Sequence, residues 1–165
     1  MSVTEQYPEM LPLPTFDGYA IEPGDGVSRT EMEAGSPRQR LRFTSMPSGI
    51  PVRWVFTPWE FALFEAWFKY RAKQGSVWFG IPLLGGIGMI EHEARFKGGT
   101  GKPYRVTPQR GNRFIVVSQL EVRERFVLTE EVMELALQED MNGLISSINA
   151  ANGFINSLAG AGGWN

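Results

Sequence analysis

The four residues Thr57-Pro58-Trp59-Glu60 constrain the fold of this chain more than any other short stretch. Thr57 can cap the free amides at the start of a helix, and Pro58 suits the first helical position, where its missing N–H is not needed. Glu60 can reach back to complete a capping box. Phe61, Leu63, Phe64, Trp67, Phe68 and Tyr70 come next, with Glu65 and Lys69 one turn apart on the polar side. Gly75 is placed to end the helix in a left-handed conformation. The pattern predicts a helix over residues 58–74, roughly 25 Å long at 1.5 Å per residue. Its apolar residues are spread too widely for a surface stripe, so cover on more than one side is expected.

Elsewhere the 11 Pro and 19 Gly of the 165 residues keep the elements short, since both interrupt helices and central strands. Arg38-Gln39-Arg40-Leu41-Arg42-Phe43-Thr44 reads as a strand, with Arg38, Arg40 and Arg42 on one face by two-residue alternation. Pro51 to Phe56 reads as a second strand after the turn-forming Met46-Pro47-Ser48-Gly49, so a hairpin over 38–56 is expected. Further strands are predicted at 76–82, 89–96, 104–107, 113–118 and 119–126. Gly85 to Gly88 reads as a loop, and Lys97 to Pro103 as a hairpin turn. The sum is a mostly β fold, a β-sandwich or partly open barrel with one central aromatic helix.

Three regions are expected. Residues 1–37 form an extended N-terminal arm, lying on a neighbour or on its own core. Residues 38–128 form the β-rich core domain. Residues 129–165 hold a short helix opened by Thr129-Glu130-Glu131-Val132 and a docking tail, uncharged beyond Asp140 but for the terminal carboxylate. Leu144, Ile148, Ala151, Ile155 and Leu158 recur there at spacings of three and four, interrupted by Gly143 and Gly153 at about 1 kcal/mol each relative to Ala. Such a stripe orders best against a partner, with Trp164 as a terminal anchor.

Composition removes several kinds of chemistry. With 16 basic and 18 acidic residues the net charge is −2, which gives no field for steering onto DNA. There is no cysteine and a single histidine, His92, so thiolate chemistry and paired-histidine sites are excluded. His92 reads as an ordinary strand side chain between Glu91 and Glu93. Gly98-Gly99-Thr100-Gly101-Lys102 is not a phosphate loop, because Phe96 stands where the first Gly belongs and Pro103 where a Ser or Thr must bind magnesium. No catalytic, cofactor or metal site is expected. The N-terminal residues lack a signal-peptide pattern, and no run reaches the ~20 apolar residues of a membrane span, so a chain made in a cytoplasm without a membrane anchor is expected. Two rival readings remain. One is a nucleic-acid-binding module that uses the Arg38–Phe56 hairpin as a basic, aromatic face. The other is a β-barrel enzyme whose carboxylate site the sequence does not display.

Residues 29–35 (RTEMEAG), the Arg-rich strand, residues 52–70 (VRWVFTPWEFALFEAWFKY), residues 75–82 (GSVWFGIP), Arg95-Phe96 and residues 114–122 (FIVVSQLEV) together resemble the phage minor tail proteins of the lambda-type M group and related distal-tail proteins. The resemblance runs roughly from 27 to 124. It implies a tail-tube-like β domain that forms a homo-oligomeric ring, hexameric by preference, near the distal end of a virion tail assembled in the bacterial host cytoplasm. Its partners would be other copies of itself and the tube, tape-measure and tip or hub proteins. The candidate interface residues are Arg38, Arg40 and Arg42, which repel one another on one strand face unless carboxylates meet them, and the tail residues Leu144, Ile148, Ile155, Leu158 and Trp164.

Overall fold

The computed structural model describes residues 5–43, 46–99, 101–137, 143, 145, 146 and 148–150. Its elements are β1 (Glu5–Gln6), β2 (Val27–Thr30), β3 (Arg38–Leu41), β4 (Ser48–Phe56), α1 (Pro58–Tyr70), β5 (Phe79–Gly85), β6 (Gly88–Phe96), β7 (Tyr104–Gln109), β8 (Arg113–Val122) and α2 (Glu130–Leu137). The chain is mostly β, and its main sheet curls into a half-barrel. Two compact units are distinguished: Met1–Ile81 with His92–Glu124, and Pro82–Glu91 with Arg125–Asn165.

The main sheet runs β1-β5-β6-β8-β4, with β7 also paired to β8. Strict alternation in β4 buries Ser48, Ile50, Val52, Trp54 and Phe56 on one face. Its partner must offer a matching apolar face, and β8 does so with Val116, Leu120 and Val122. This is why β4 does not form the expected hairpin with the Arg-rich strand. An exposed strand bearing Arg38 and Arg40 has no apolar face to give, and β3 pairs instead with β2, from Val27↔Leu41 to Thr30↔Arg38. The expected arm–core boundary at residue 37 therefore falls inside a β-ribbon.

Lys97–Pro103 is likewise not a hairpin turn. Both β6 and β7 run antiparallel to β8 on the same side, Phe96 opposite Leu120 and Tyr104 opposite Ser118. They are two halves of one strand line, and the glycine-rich segment is an excursion between them. The Lys97 N–H donates to the Gln119 carbonyl at 2.9 Å, and the Ser118 hydroxyl to the Pro103 carbonyl at 2.6 Å, holding the two feet of the loop.

Helix α1 begins as its sequence demands. Thr57 Oγ1 accepts from the Glu60 N–H, and the Glu60 carboxylate accepts from the Thr57 N–H at 2.7 Å. It ends at Tyr70, short of the expected 74. Ala72 is fully buried and Gly75 is left-handed with Phe96 close by, where a Cβ would come within 2.8 Å. The chain must turn there to enter β5, and it does so through a 3-10 turn at Lys73–Gly75. Phe64, Trp67 and Phe68 are buried, while Trp59 is 72% exposed and Tyr70 69%. The helix is thus covered on one side, not several. A second helix, α2, belongs to the other unit. Pro82 sits inside β5 rather than ending it. It shares its hydrogen-bonding side with Gly80, whose carbonyl accepts from Tyr7, and β1 extends no further than Gly80. The missing N–H thus lies past the last residue of β5 that β1 pairs.

The described N-terminal residues belong to the first unit, with β4, β7 and β8, and meet both edges of the sheet. β1 pairs in parallel with Phe79 and Gly80 of β5. Further along, Thr15 bridges Arg53 and Glu22 bridges Gly49 on β4, at the opposite edge. Arg71–Glu5 at 3.1 Å, the Arg53–Asp17 ion pair and a Gln119–Glu22 hydrogen bond at 2.8 Å add side-chain ties. Open edges template association with other chains, and this strap covers part of each. Tyr7, Leu11 and Pro14 are its buried residues. The Tyr7 ring lies edge-on to Trp67 at 5.5 Å, and its hydroxyl donates to the Pro12 carbonyl at 2.8 Å.

Burial pushes the Tyr7 hydroxyl well above its ordinary value of 10.0, with the Glu60 carboxylate adding to the effect. The folded state therefore holds this proton more tightly than the unfolded chain. The corresponding stability is present below the unfolded value and is lost as pH rises past it. Tyr7→Phe should lose about 0.5–1.5 kcal/mol at neutral pH with the Pro12 bond. Its stability should also fall less steeply than the parent's between about pH 9 and 11. Denaturant midpoints across that range check both effects, and parallel curves for the two proteins would contradict the second.

Candidate assembly interface

The β2–β3 ribbon is largely exposed. It forms a two-stranded sheet separate from the main one. Its base is narrow by design of sequence. The Gly26 carbonyl accepts from the N–H groups of Arg42 and Phe43 at 2.8 and 3.2 Å. A Cβ on Gly26 would lie 2.4 Å from the Phe43 carbonyl oxygen, and one on Gly24 2.5 Å from that of Pro47. The close approach of these backbones requires glycine at both places.

Register assigns the ribbon two unlike faces. Arg38 lies opposite Thr30 and Arg40 opposite Ser28, giving a basic and hydroxylic face. Val27 lies opposite Leu41, which is 67% exposed, and Arg29 opposite Gln39, giving the other face. Arg42 comes just after the last paired residue, with its guanidinium 5.3 Å from the centre of the Phe43 ring. Arg29 is paired with Glu31 at 2.6 Å, but among the described residues Arg38 and Arg40 form no ion pair. A lone two-stranded ribbon is marginal in water. This one carries the exposed Val27 and Leu41 and two guanidiniums without an ion pair among the described residues.

In the second unit, α2 is opened by Thr129, whose carbonyl accepts from Met133 at 2.9 Å, with Glu130 and Glu131 in the first turn. Val132 and Ala136, one turn apart, are half-buried, whereas Met133, Leu137, Glu130 and Glu134 are exposed. Of the expected docking stripe, Ile148 is helical and half-buried. Leu144, Ile155, Leu158 and Trp164 lie outside the described residues.

Two further placements correct or extend the sequence reading. Trp54 and Phe56 are fully buried in the aromatic core, so they cannot stack on bases, and the basic, aromatic face expected over 38–56 does not exist as one surface. Trp78 is not a core residue. It lies half-buried between the guanidiniums of Arg95 and Arg123, each 4.5 Å from its ring centre. Arg95 pairs with Glu121 at 2.6 Å and Arg123 with Glu93 at 2.7 Å. Alternation with the buried Phe79 was the available signal for its outward placement. These arginines are already matched, unlike Arg38 and Arg40 of the ribbon among the described residues. His92 is buried in β6. Among the described residues, no three His, Asp or Glu side chains are grouped to hold a metal ion, and no helix is long and apolar enough to cross a membrane.

No protein-family model, curated protein or solved structure matches the chain.

Proposed function

We propose that this chain is a structural subunit of a bacteriophage tail, a minor or distal-tail protein forming a ring, hexameric by preference, between tail tube and tip. The observation that carries the reading is the exposed β2–β3 ribbon, whose Arg38 and Arg40 are unmatched among the described residues. A closed ring needs one surface of each copy to meet a different surface of the next, and a projecting ribbon is such a surface. A curled sheet with an aromatic helix on one face suits a tail-tube-like domain. The sequence likeness over residues 27–124 supplies the tail context, with tube, tape-measure and tip or hub proteins as the neighbours, and the virion as the place of residence.

The combined variant R38E/R40E/R42E tests this directly. It should melt at the parent's temperature, because all three side chains are exposed, yet fail to enter particles. Quantitative mass spectrometry of purified particles reads the incorporation. Normal assembly of the variant contradicts the reading, and normal assembly with loss of DNA binding turns the choice to a nucleic-acid module.

A further inference from the structure

The sequence separates its charges in a way the described ion pairs do not resolve. Beyond Arg125 there is no basic residue, while Glu130, Glu131, Glu134, Glu139 and Asp140 all lie after it. The β2–β3 ribbon carries the opposite excess. Resting on the ring-forming reading above, we propose that the Arg38–Arg40 face of one copy's ribbon docks on the exposed face of α2 in another copy, as a head-to-tail contact. The occupant of each surface is thus a second copy of this chain.

Spacing supports the match. Same-face side chains two residues apart on a strand are separated by roughly 6.7 Å. Side chains four residues apart on a helix are separated by roughly 6 Å along its axis. Arg38 and Arg40 can therefore meet Glu130 and Glu134 in step, one guanidinium to each carboxylate. The apolar row of Met133 and Leu137 lies beside the acidic row on the same exposed side, with Leu137 75% exposed. Arginine stems are aliphatic and cover such rows while their heads reach a charge beyond. The half-buried Val132 and Ala136 hold the helix from its other side. One sequence carries both halves of the contact, so every copy can be at once donor and acceptor.

Charge exchange in trans tests the contact on the full chain by sedimentation velocity, with circular dichroism to confirm folding. R38E/R40E and E130K/E134K should each weaken self-association by roughly 100-fold, since like charges then face each other. An equimolar mixture of the two variants should recover association to within about tenfold of the parent, because each ribbon now finds an opposite charge on the other variant. Raising salt to about 0.5 M should weaken the parent's association. If E130K/E134K unfolds α2, the neutral E130Q/E134Q should still lose about tenfold. Undiminished association of the α2 variants overturns the contact and leaves a ring formed through another surface standing. A mixture that stays dissociated overturns the contact in trans. A parent chain that remains monomeric at all concentrations removes both the contact and the ring.

Discussion

Phe64→Ala should destabilise the protein by about 3–5 kcal/mol, the range for truncating a buried aromatic ring. Phe64 is fully buried, and its ring lies 5.2–6.3 Å from those of Phe56, Tyr104, Trp54, Trp67, Phe96 and Phe68. These rings come from three strands of the sheet and from the helix's own next turn. No single neighbour can move into the space without leaving another gap, so little relaxation will offset the cavity. A domain's whole stability is about 5–15 kcal/mol, which makes this change a large fraction of it. Denaturant unfolding reads the loss. A cooperative transition with an unchanged midpoint would show that the ring cluster does not hold the unit together.

A second large effect is expected at the strap. Replacing Tyr7 and Leu11 together with Ala removes the two largest buried side chains of residues 5–22. Leu→Ala alone costs about 2–5 kcal/mol in a core, and loss of the Tyr7 ring adds a term of similar size. Trp67 also gives up the setting in which its indole N–H donates to the Gln6 carbonyl at 3.2 Å. The more telling consequence is on association. With the strap loosened, β4 and β5 each present an open edge, and open edges aggregate. Light scattering of the double variant should rise at temperatures where the parent stays clear. A variant as stable and as clear as the parent would mean the strap decorates the sheet without protecting it.

Legibility in the sequence tracks the range of the interactions concerned. The capping box spans three residues, and it could be read outright from Thr57 and Glu60. The alternation that buries Trp54 and Phe56 was also local, as was the mostly β character. The end of α1 was not legible, because it is set by the approach of Phe96 to Gly75 from a distant strand. Strand pairing was misread for the same reason. Nothing near Arg38 announces that its partner is Thr30 rather than a residue beyond the Met46–Gly49 turn. The strap was hardest of all, since Tyr7 and Leu11 obey no period and the Tyr7 ring packs on the distant Trp54 and Trp67. At the candidate interface the basic face of Arg38 and Arg40 was readable from two-residue alternation. Its isolation from the main sheet required the fold.

The strand line formed by β6 and β7 has a consequence for how this chain can change. Each half is fixed independently by its own ladder to β8, so the segment from Lys97 to Pro103 sets neither the register nor the direction of β7. Lengthening such a loop costs little, since closure entropy grows only as the logarithm of its length. An added peptide would leave from two feet already tied to Gln119 and Ser118 and would project from a finished sheet. The fold thus contains a socket for diversification: a place where new surface can be acquired while every strand keeps its partner.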